Sequence, residues 1–314
     1  MAFRGNMKQW SGLVLAFSLA VLLSALPLPA TAGGGPKKFT SPQKAVDALV
    51  AAVKSHNVKH LIAIFGPGSE VLVSSGDSVA DRSDRQKFLD IYSAGHSIDM
   101  VGDDRGVLLL GKDKYPFPFP LLKKGNRWVF DQAAGKEEII NRRIGKNELS
   151  AIQVARAYVD AQREYVCKDR DADGISAFAV RFRSSPGKKD GLYWESATGE
   201  AESPFGPLVA QAAHEGYGET EKEFLSPYHG YFFRILTAQG EDAEGGAYSY
   251  IVNGRMVLGF ALIAYPAQYG ASGIMTFMVN QAGVVYEKDL GPQTDKAVEA
   301  ITAFSPDESW KKLQ

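Results

Sequence analysis

The run Asp169-Arg170-Asp171-Ala172-Asp173-Gly174 is the sharpest chemical motif in the chain. Alternating aspartates with glycine at the sixth place match the opening of a calcium loop, where hard oxygens point inward and glycine makes the sharp turn. Such a loop closes with a bidentate acid at its twelfth place, which here is Val180. Calcium at Asp169, Asp171 and Asp173 therefore needs oxygens from elsewhere in the fold. Without them the run is a solvated acidic turn. No other cofactor is suggested.

A second group of residues is aromatic. Tyr193, Trp194, His214, Tyr217, Tyr228, His229 and Tyr231 fall in a stretch rich in glycine and proline. Long ordered loops carry binding sites, and tyrosine and tryptophan suit sugar or peptide surfaces because they stack and hydrogen-bond. Tyr193, Trp194, Tyr228 and His229 are the ligand-binding candidates. The competing expectation is that these rings form a small loop-borne core over one sheet face.

Catalysis has less support. The chain holds no Gly-x-Ser-x-Gly, His-Glu-x-x-His, phosphate loop or dinucleotide glycine fingerprint, so no catalytic residue is assigned. An envelope hydrolase or amidase using His214 or His229 with a nearby acid is the alternative, because such sites need only a few dispersed residues. His56, His60 and His96 make no metal spacing with one another. Cys167 is the single cysteine, which excludes an internal disulfide, and it is expected as a small buried or half-buried hydrophobe.

The start of the chain says where these groups work. Arg4 and Lys8 precede an apolar stretch over residues 13–28, and Ala30-Thr31-Ala32 follows as a small-x-small site. That order is a secretory signal peptide over residues 1–32, cleaved before Gly33. The expected location is the periplasm or the medium, with no integral membrane anchor after cleavage. Removing this segment costs two basic residues and no acid, so the formal charge moves from −1 to −3. So small an imbalance supports neither nucleic-acid binding nor a polybasic membrane patch. The partner expected is an envelope protein or a cell-wall component.

Hydrophobic residues make up 45% of the chain, enough for real cores at this length, and 32 glycines with 15 prolines make it rich in turns. After a flexible leader over 33–39, Ser41-Pro42 caps a helix whose apolar stripe is Ala45, Val46, Leu49, Val50 and Val53. A short apolar piece over 61–65 ends at Gly66-Pro67-Gly68, and Ser83-Asp84-Arg85-Gln86 has capping-box spacing before Phe88, Leu89 and Tyr92. The period then changes to strands over 106–111, 117–122 and 127–131. Pro116, Pro118 and Pro120 confine the middle one to an edge or bulge, since proline cannot donate to a ladder.

A polar helical bridge follows, and Asn147 is read as the cap of a longer helix through Val166. Beyond a loop-heavy region, strands are expected over 231–237, 256–264, 274–279 and 284–286, with a hairpin turn over 280–283 and a last helix over 294–303. The fold class is α+β in two domains. Residues 40–135 form a helix-then-curved-antiparallel-sheet (cone-like) domain, 136–146 a linker, and 147–314 a domain of one long helix and an antiparallel meander with long aromatic loops.

The order of elements in the first half resembles the cone of nuclear-transport-factor-2-like domains. In the second half, the phrase from Gly273 to Tyr286 resembles a type IV pilin or pseudopilin head, although its helix carries Arg156, Asp160, Arg163 and Glu164 where a pilin is apolar. Wider similarity comes from Asn141-Arg142-Arg143-Ile144-Gly145, Tyr158-Val159-Asp160-Ala161-Gln162-Arg163-Glu164-Tyr165, Pro186-Gly187-Lys188-Lys189-Asp190-Gly191-Leu192-Tyr193-Trp194, Pro227-Tyr228-His229-Gly230-Tyr231 and Tyr265-Pro266-Ala267-Gln268-Tyr269-Gly270. These phrases together resemble the bacterial family called domain of unknown function 2950, over about Phe39 to Trp310. The resemblance implies an exported, envelope-associated protein, and it brings no activity and no catalytic residue.

Overall fold

The computed structural model describes residues 35–170, 174–218 and 226–313. The expected signal peptide with its cleavage site, and Asp171 and Asp173, lie outside the described residues.

Four helices come first: α1 (Pro42–Lys54), α2 (Val58–Phe65), α3 (Glu70–Val73) and α4 (Ser78–Ala94). The Ser41 side chain accepts the Lys44 amide and Pro42 takes the first helical place, as their types predict. Gly66, at φ 95°, stops α2 where no side chain is needed. The start of α4 differs from expectation. Asp77, not Ser83, caps it, with Oδ1 accepting the amides of Val79 and Ala80 at 3.0 and 2.9 Å. An aspartate that meets two free amides fixes the start earlier, and Ser83 falls inside the helix.

An antiparallel sheet follows in the order β1-β2-β4-β5, formed by β1 (His96–Val101), β2 (Arg105–Leu110), β4 (Leu121–Lys124) and β5 (Arg127–Phe130). The two-residue β3 (Tyr115–Pro116) pairs with β2. The alternating prolines keep residues 117–120 out of the ladder, and their freed rings turn inward: Phe117 and Phe119 meet edge-on at 5.5 Å. β1 was not visible as a strand in the sequence, because Ser97, Asp99 and its other residues are almost all exposed and carry no buried alternation.

The helix expected to start at Asn147 begins at Gln132. α5 (Gln132–Val166) runs unbroken through the expected linker, capped by Asp131 on the Ala133 amide. Asn147 is buried within it, and its Nδ2 donates to the Ser272 carbonyl at 2.9 Å. Gly135 lets α5 cross the proline-rich connection closely, since a Cβ there would stand 2.5 Å from the Pro118 carbonyl oxygen. Cys167 follows the last turn of α5. It is exposed rather than buried, its thiol donating to the Arg163 carbonyl at 3.1 Å.

The remaining elements are α6 (Gly206–His214), β6 (Tyr231–Leu236), β7 (Ala238–Gln239), β8 (Tyr248–Ser249), β9 (Ile251–Val252), β10 (Arg255–Met256), β11 (Ala261–Pro266), β12 (Met275–Asn280), β13 (Val285–Asp289), α7 (Thr294–Ala300) and β14 (Lys311–Lys312). An antiparallel sheet runs β14-β13-β12-β11-β6, and β7 with β8 and β9 with β10 form two small ribbons. The strand expected over 256–264 is thus split between β10 and β11. The hairpin from β12 to β13 turns where expected, with the Gly283 amide donating to the Asn280 carbonyl at 2.8 Å.

The fold is α+β. It holds two hydrophobic cores, both touched by α5. One gathers Leu49, Phe65, Leu108, Phe119 and Phe130, with Ile139 and Ile140 of α5 packed against it. The other gathers Tyr158, Leu192, Tyr231, Phe260, Ile263 and Phe277. At its centre the Tyr158 hydroxyl donates to the Ala261 carbonyl. Gln162 closes the polar balance by bonding both Tyr158 and the backbone of Ala179. Among the described residues, no helix is long and apolar enough to cross a membrane.

Candidate functional site

The residues singled out from the sequence lie in three places. Tyr193 and Trp194 are packed into the C-terminal core, each about 8% exposed. The Trp194 indole is flanked by Arg170 at 4.8 Å and Lys189 at 5.5 Å from its centroid, and its N–H is buried without a hydrogen-bond partner among the described residues. It lines a basic loop cavity with Arg181, Arg183, Lys188 and Lys189. The loop is closed by Asp190, which accepts the Ser185 amide and hydroxyl at 2.7 and 2.9 Å. Burial opposes the charge on Asp190, but these bonds and Arg181 outweigh it and hold its carboxyl below the usual range.

Asp169 uses its Oδ2 to accept the Gly174 amide at 2.8 Å. That is the closure of a turn as much as the first ligand of a loop. Among the described residues, no group of three histidine, cysteine, aspartate or glutamate side chains is placed to hold a metal.

Tyr228 and His229 lie elsewhere, where the two halves of the chain meet. His229 and Gly230 take the left-handed conformation, with φ 48° and 75°. They form a two-residue turn closed by reciprocal Tyr228–Tyr231 backbone bonds. A side chain at position 230 would strike Asn147 Nδ2 at 2.5 Å, so glycine is required. The turn points its amides at the first half: Gly230 N–H donates to Asp77 Oδ2 at 2.9 Å. His229 N–H donates to the Tyr217 hydroxyl, which itself donates to Asp77 Oδ2 at 2.7 Å. One buried carboxylate therefore caps α4 with one oxygen and anchors the turn with the other.

Around this anchor the rings stack: Tyr217 and Tyr228 meet edge-on at 4.8 Å, and Tyr228 and His229 lie at 4.2 Å. His229 Nε2 sits 2.9 Å from Glu215 Oε2. Among the described residues that oxygen is buried without a formed hydrogen bond, so the contact is a close approach rather than an aligned bond. Burial lowers the His229 pKa although Glu215 opposes it, and the imidazole is held towards its neutral form. Burial, reinforced by the nearby acids, raises both Tyr217 and Tyr228. Both shifts hold the hydroxyls towards their protonated form.

Beside these tyrosines lies an apolar cavity of about 80 Å³, walled by Phe182, Phe205, Leu208, Val209, Tyr228 and Phe233. His214 is exposed at the end of α6, whereas His229 has the acid neighbour. The sequence pointed to Tyr228 and His229. It did not reveal Asp77, Glu215 or Tyr217 as their partners, because the separations run from twelve residues upward and no local motif joins them. The one readable signal at Asp77 was an aspartate just before a helical stretch, the signature of a cap.

No curated protein and no solved structure matches the chain, so the cone likeness rests on element order and the pilin-head likeness on element order and one phrase. One family model does match, over residues 36–313, nearly the whole described fold. The chain belongs to the DUF2950 family, described as proteins of unknown function.

Proposed function

We propose that the protein is exported and works in the bacterial envelope as a non-catalytic binding or assembly module, docking a wall component or another envelope protein at the loops carrying Tyr228 and His229. Export is supported by the leader pattern of residues 1–32. The observation that carries the binding half is Tyr228. Its ring walls the apolar cavity, and its hydroxyl, unlike that of Tyr217, has no hydrogen-bond partner among the described residues. An apolar wall ending in a free donor and acceptor suits a side chain or sugar ring that brings one polar group.

The neighbouring groups favour binding over chemistry. Tyr217 is occupied by Asp77, and among the described residues no serine, threonine or cysteine hydroxyl or thiol hydrogen-bonds His229. The His229–Glu215 approach is the one observation that favours the hydrolase reading, since an acid beside histidine can orient it as a base.

Co-sedimentation of the mature protein with isolated wall sacculi tests both. Wild type should sediment with the wall. Tyr228→Ala should lose about 2 kcal/mol of that affinity with little change in melting. Soluble fragments released by wild type and not by His229→Asn would replace the binding reading with the catalytic one. Equal sedimentation of wild type and Tyr228→Ala would remove the loop from the site. Export is checked by the mass of protein recovered from periplasm or medium, which should begin at Gly33.

A further inference from the structure

An apolar pocket lies in the first half, lined by residues other than the aromatic loops. It measures about 370 Å³, inside the range of small-molecule pockets. Its interior is made by the core faces of α1, α2 and α4 and by the proline-rich connection, with Leu49, Leu61, Phe65, Phe88, Phe117 and Phe119 as walls. The pocket opens to the surface, and its phenylalanine and leucine walls offer an apolar face that a ligand chain could cover.

Its mouth is charged, and unequally so. Arg85, Arg142, Arg143 and Lys146 face Asp81 and Asp84 there. Both acids are already engaged: Asp81 accepts the Ser75 amide and lies 3.9 Å from Arg85, and Asp84 lies 3.8 Å from Lys87. Arg85 and Arg143 are held in place by backbone. Arg143 donates to the Val71 and Leu72 carbonyls at 2.7 and 2.9 Å, and Arg85 donates to Val73. Arg142 pairs with Glu138 one turn back on α5, and Lys146 has no ion-pair partner among the described residues. Burial lowers the Arg143 pKa, with Asp81 and Asp84 opposing and Arg85 adding to the effect. The cationic side of the mouth is thus incompletely neutralised, and two of its guanidinium groups are fixed in direction before any ligand arrives.

We propose that this cavity binds a single-chain acidic amphiphile, its apolar chain against the phenylalanine walls and its anionic head on Arg142, Arg143 and Lys146. The chain gains by leaving water, and the head finds a positive mouth that would repel a cationic head and offer a neutral one nothing comparable. Carboxylate and phosphate heads share this chemistry. The proposal does not rest on the Tyr228 loops, although Lys146 lies near enough to His229 to help lower its pKa.

Calorimetric titration of the mature protein with dodecanoate, dodecyl phosphate, dodecanol and inorganic phosphate tests the proposal. Both acidic chains should bind, with dodecanol at least about tenfold weaker and inorganic phosphate weaker still. The tighter of the two acidic chains identifies the head. Arg142 and Lys146 are exposed, so the double variant Arg142→Gln, Lys146→Gln should fold with a melting point close to that of wild type. It should bring the acidic chains to the level of dodecanol. Equal binding of dodecanol and dodecanoate overturns the proposal, as does inorganic phosphate binding as tightly as dodecyl phosphate. Unchanged affinity in the folded double variant would place the amphiphile elsewhere and overturn it equally, and so would no binding by either acidic chain.

Discussion

Replacing Asp77 with alanine tests whether one carboxylate ties the two halves of this chain together. The side chain accepts four donors: the Val79 and Ala80 amides through Oδ1, and the Tyr217 hydroxyl and Gly230 amide through Oδ2. Loss of the cap alone costs about 1 kcal/mol. The Gly230 amide and Tyr217 hydroxyl would also lose their acceptor in a buried place, at about 1–3 kcal/mol for each stranded group. The terms share one residue and do not simply add, so the expected total is about 3–5 kcal/mol. Asp77→Asn keeps one carbonyl oxygen but turns an amide towards the Gly230 N–H, and should fall between wild type and alanine. The measurement is the urea midpoint, with Asn57→Ala as control. Asn57 caps α2 through the His60 amide, a bond within the first half, so its loss should cost about 1 kcal/mol. If Asp77→Ala costs no more than Asn57→Ala, the carboxylate is only a cap and the reasoning fails.

Two glycines of α5 should respond in opposite directions. Gly145→Ala meets nothing within 4 Å and should stabilise by about 0.5–1 kcal/mol, whereas Gly135→Ala places its Cβ 2.5 Å from the Pro118 oxygen and should destabilise despite the same gain in helix propensity. Melting of both variants decides it, and a common sign would show that propensity governs. Trp194→Ala should lower stability by about 3–5 kcal/mol, the cost of emptying a packed aromatic site. A small loss of stability with a large loss of wall binding would make Trp194 a docking residue instead. For His229, burial depresses the folded pKa, so the unfolded chain takes up its proton first as pH falls. Its contribution is complete above the ordinary histidine value of about 6.5 and is lost progressively below it. His229→Asn, which tolerates the positive φ, should flatten the fall in melting point between about pH 7 and pH 5. An unchanged slope would put that dependence on other groups.

Local chemistry in the sequence was enough for several elements. Ser41-Pro42 fixed the start of α1, and Gly66 the end of α2. The glycine at 283 turned the last hairpin, whereas the strand expected over 117–122 forms only from Leu121, because Pro118 and Pro120 lack the amides a ladder needs. Each of these is decided within a few residues, by a capping side chain, a missing amide or a positive φ. The failures were equally physical. Capping-box spacing at Ser83 lost to Asp77, which reaches two amides, and Asn147 looked like a cap because asparagine often is one. In the fold it is an interior residue whose amide reaches Ser272 across 125 positions of sequence.

Composition and short-range pattern by themselves determined an α+β chain with an apolar stretch over residues 13–28. They also named Tyr228 and His229 as groups of interest. Only the tertiary structure decided what those groups face. Asp77, Glu215 and Tyr217 reach the His229 turn by long-range packing, and α1, α2, α4 and α5 converge on a hollow whose arginines are far apart in sequence. A site made of dispersed residues leaves no spacing to read, because the distances that matter are set by how helices and sheets bury their faces, and those contacts join residues that the chain itself keeps apart.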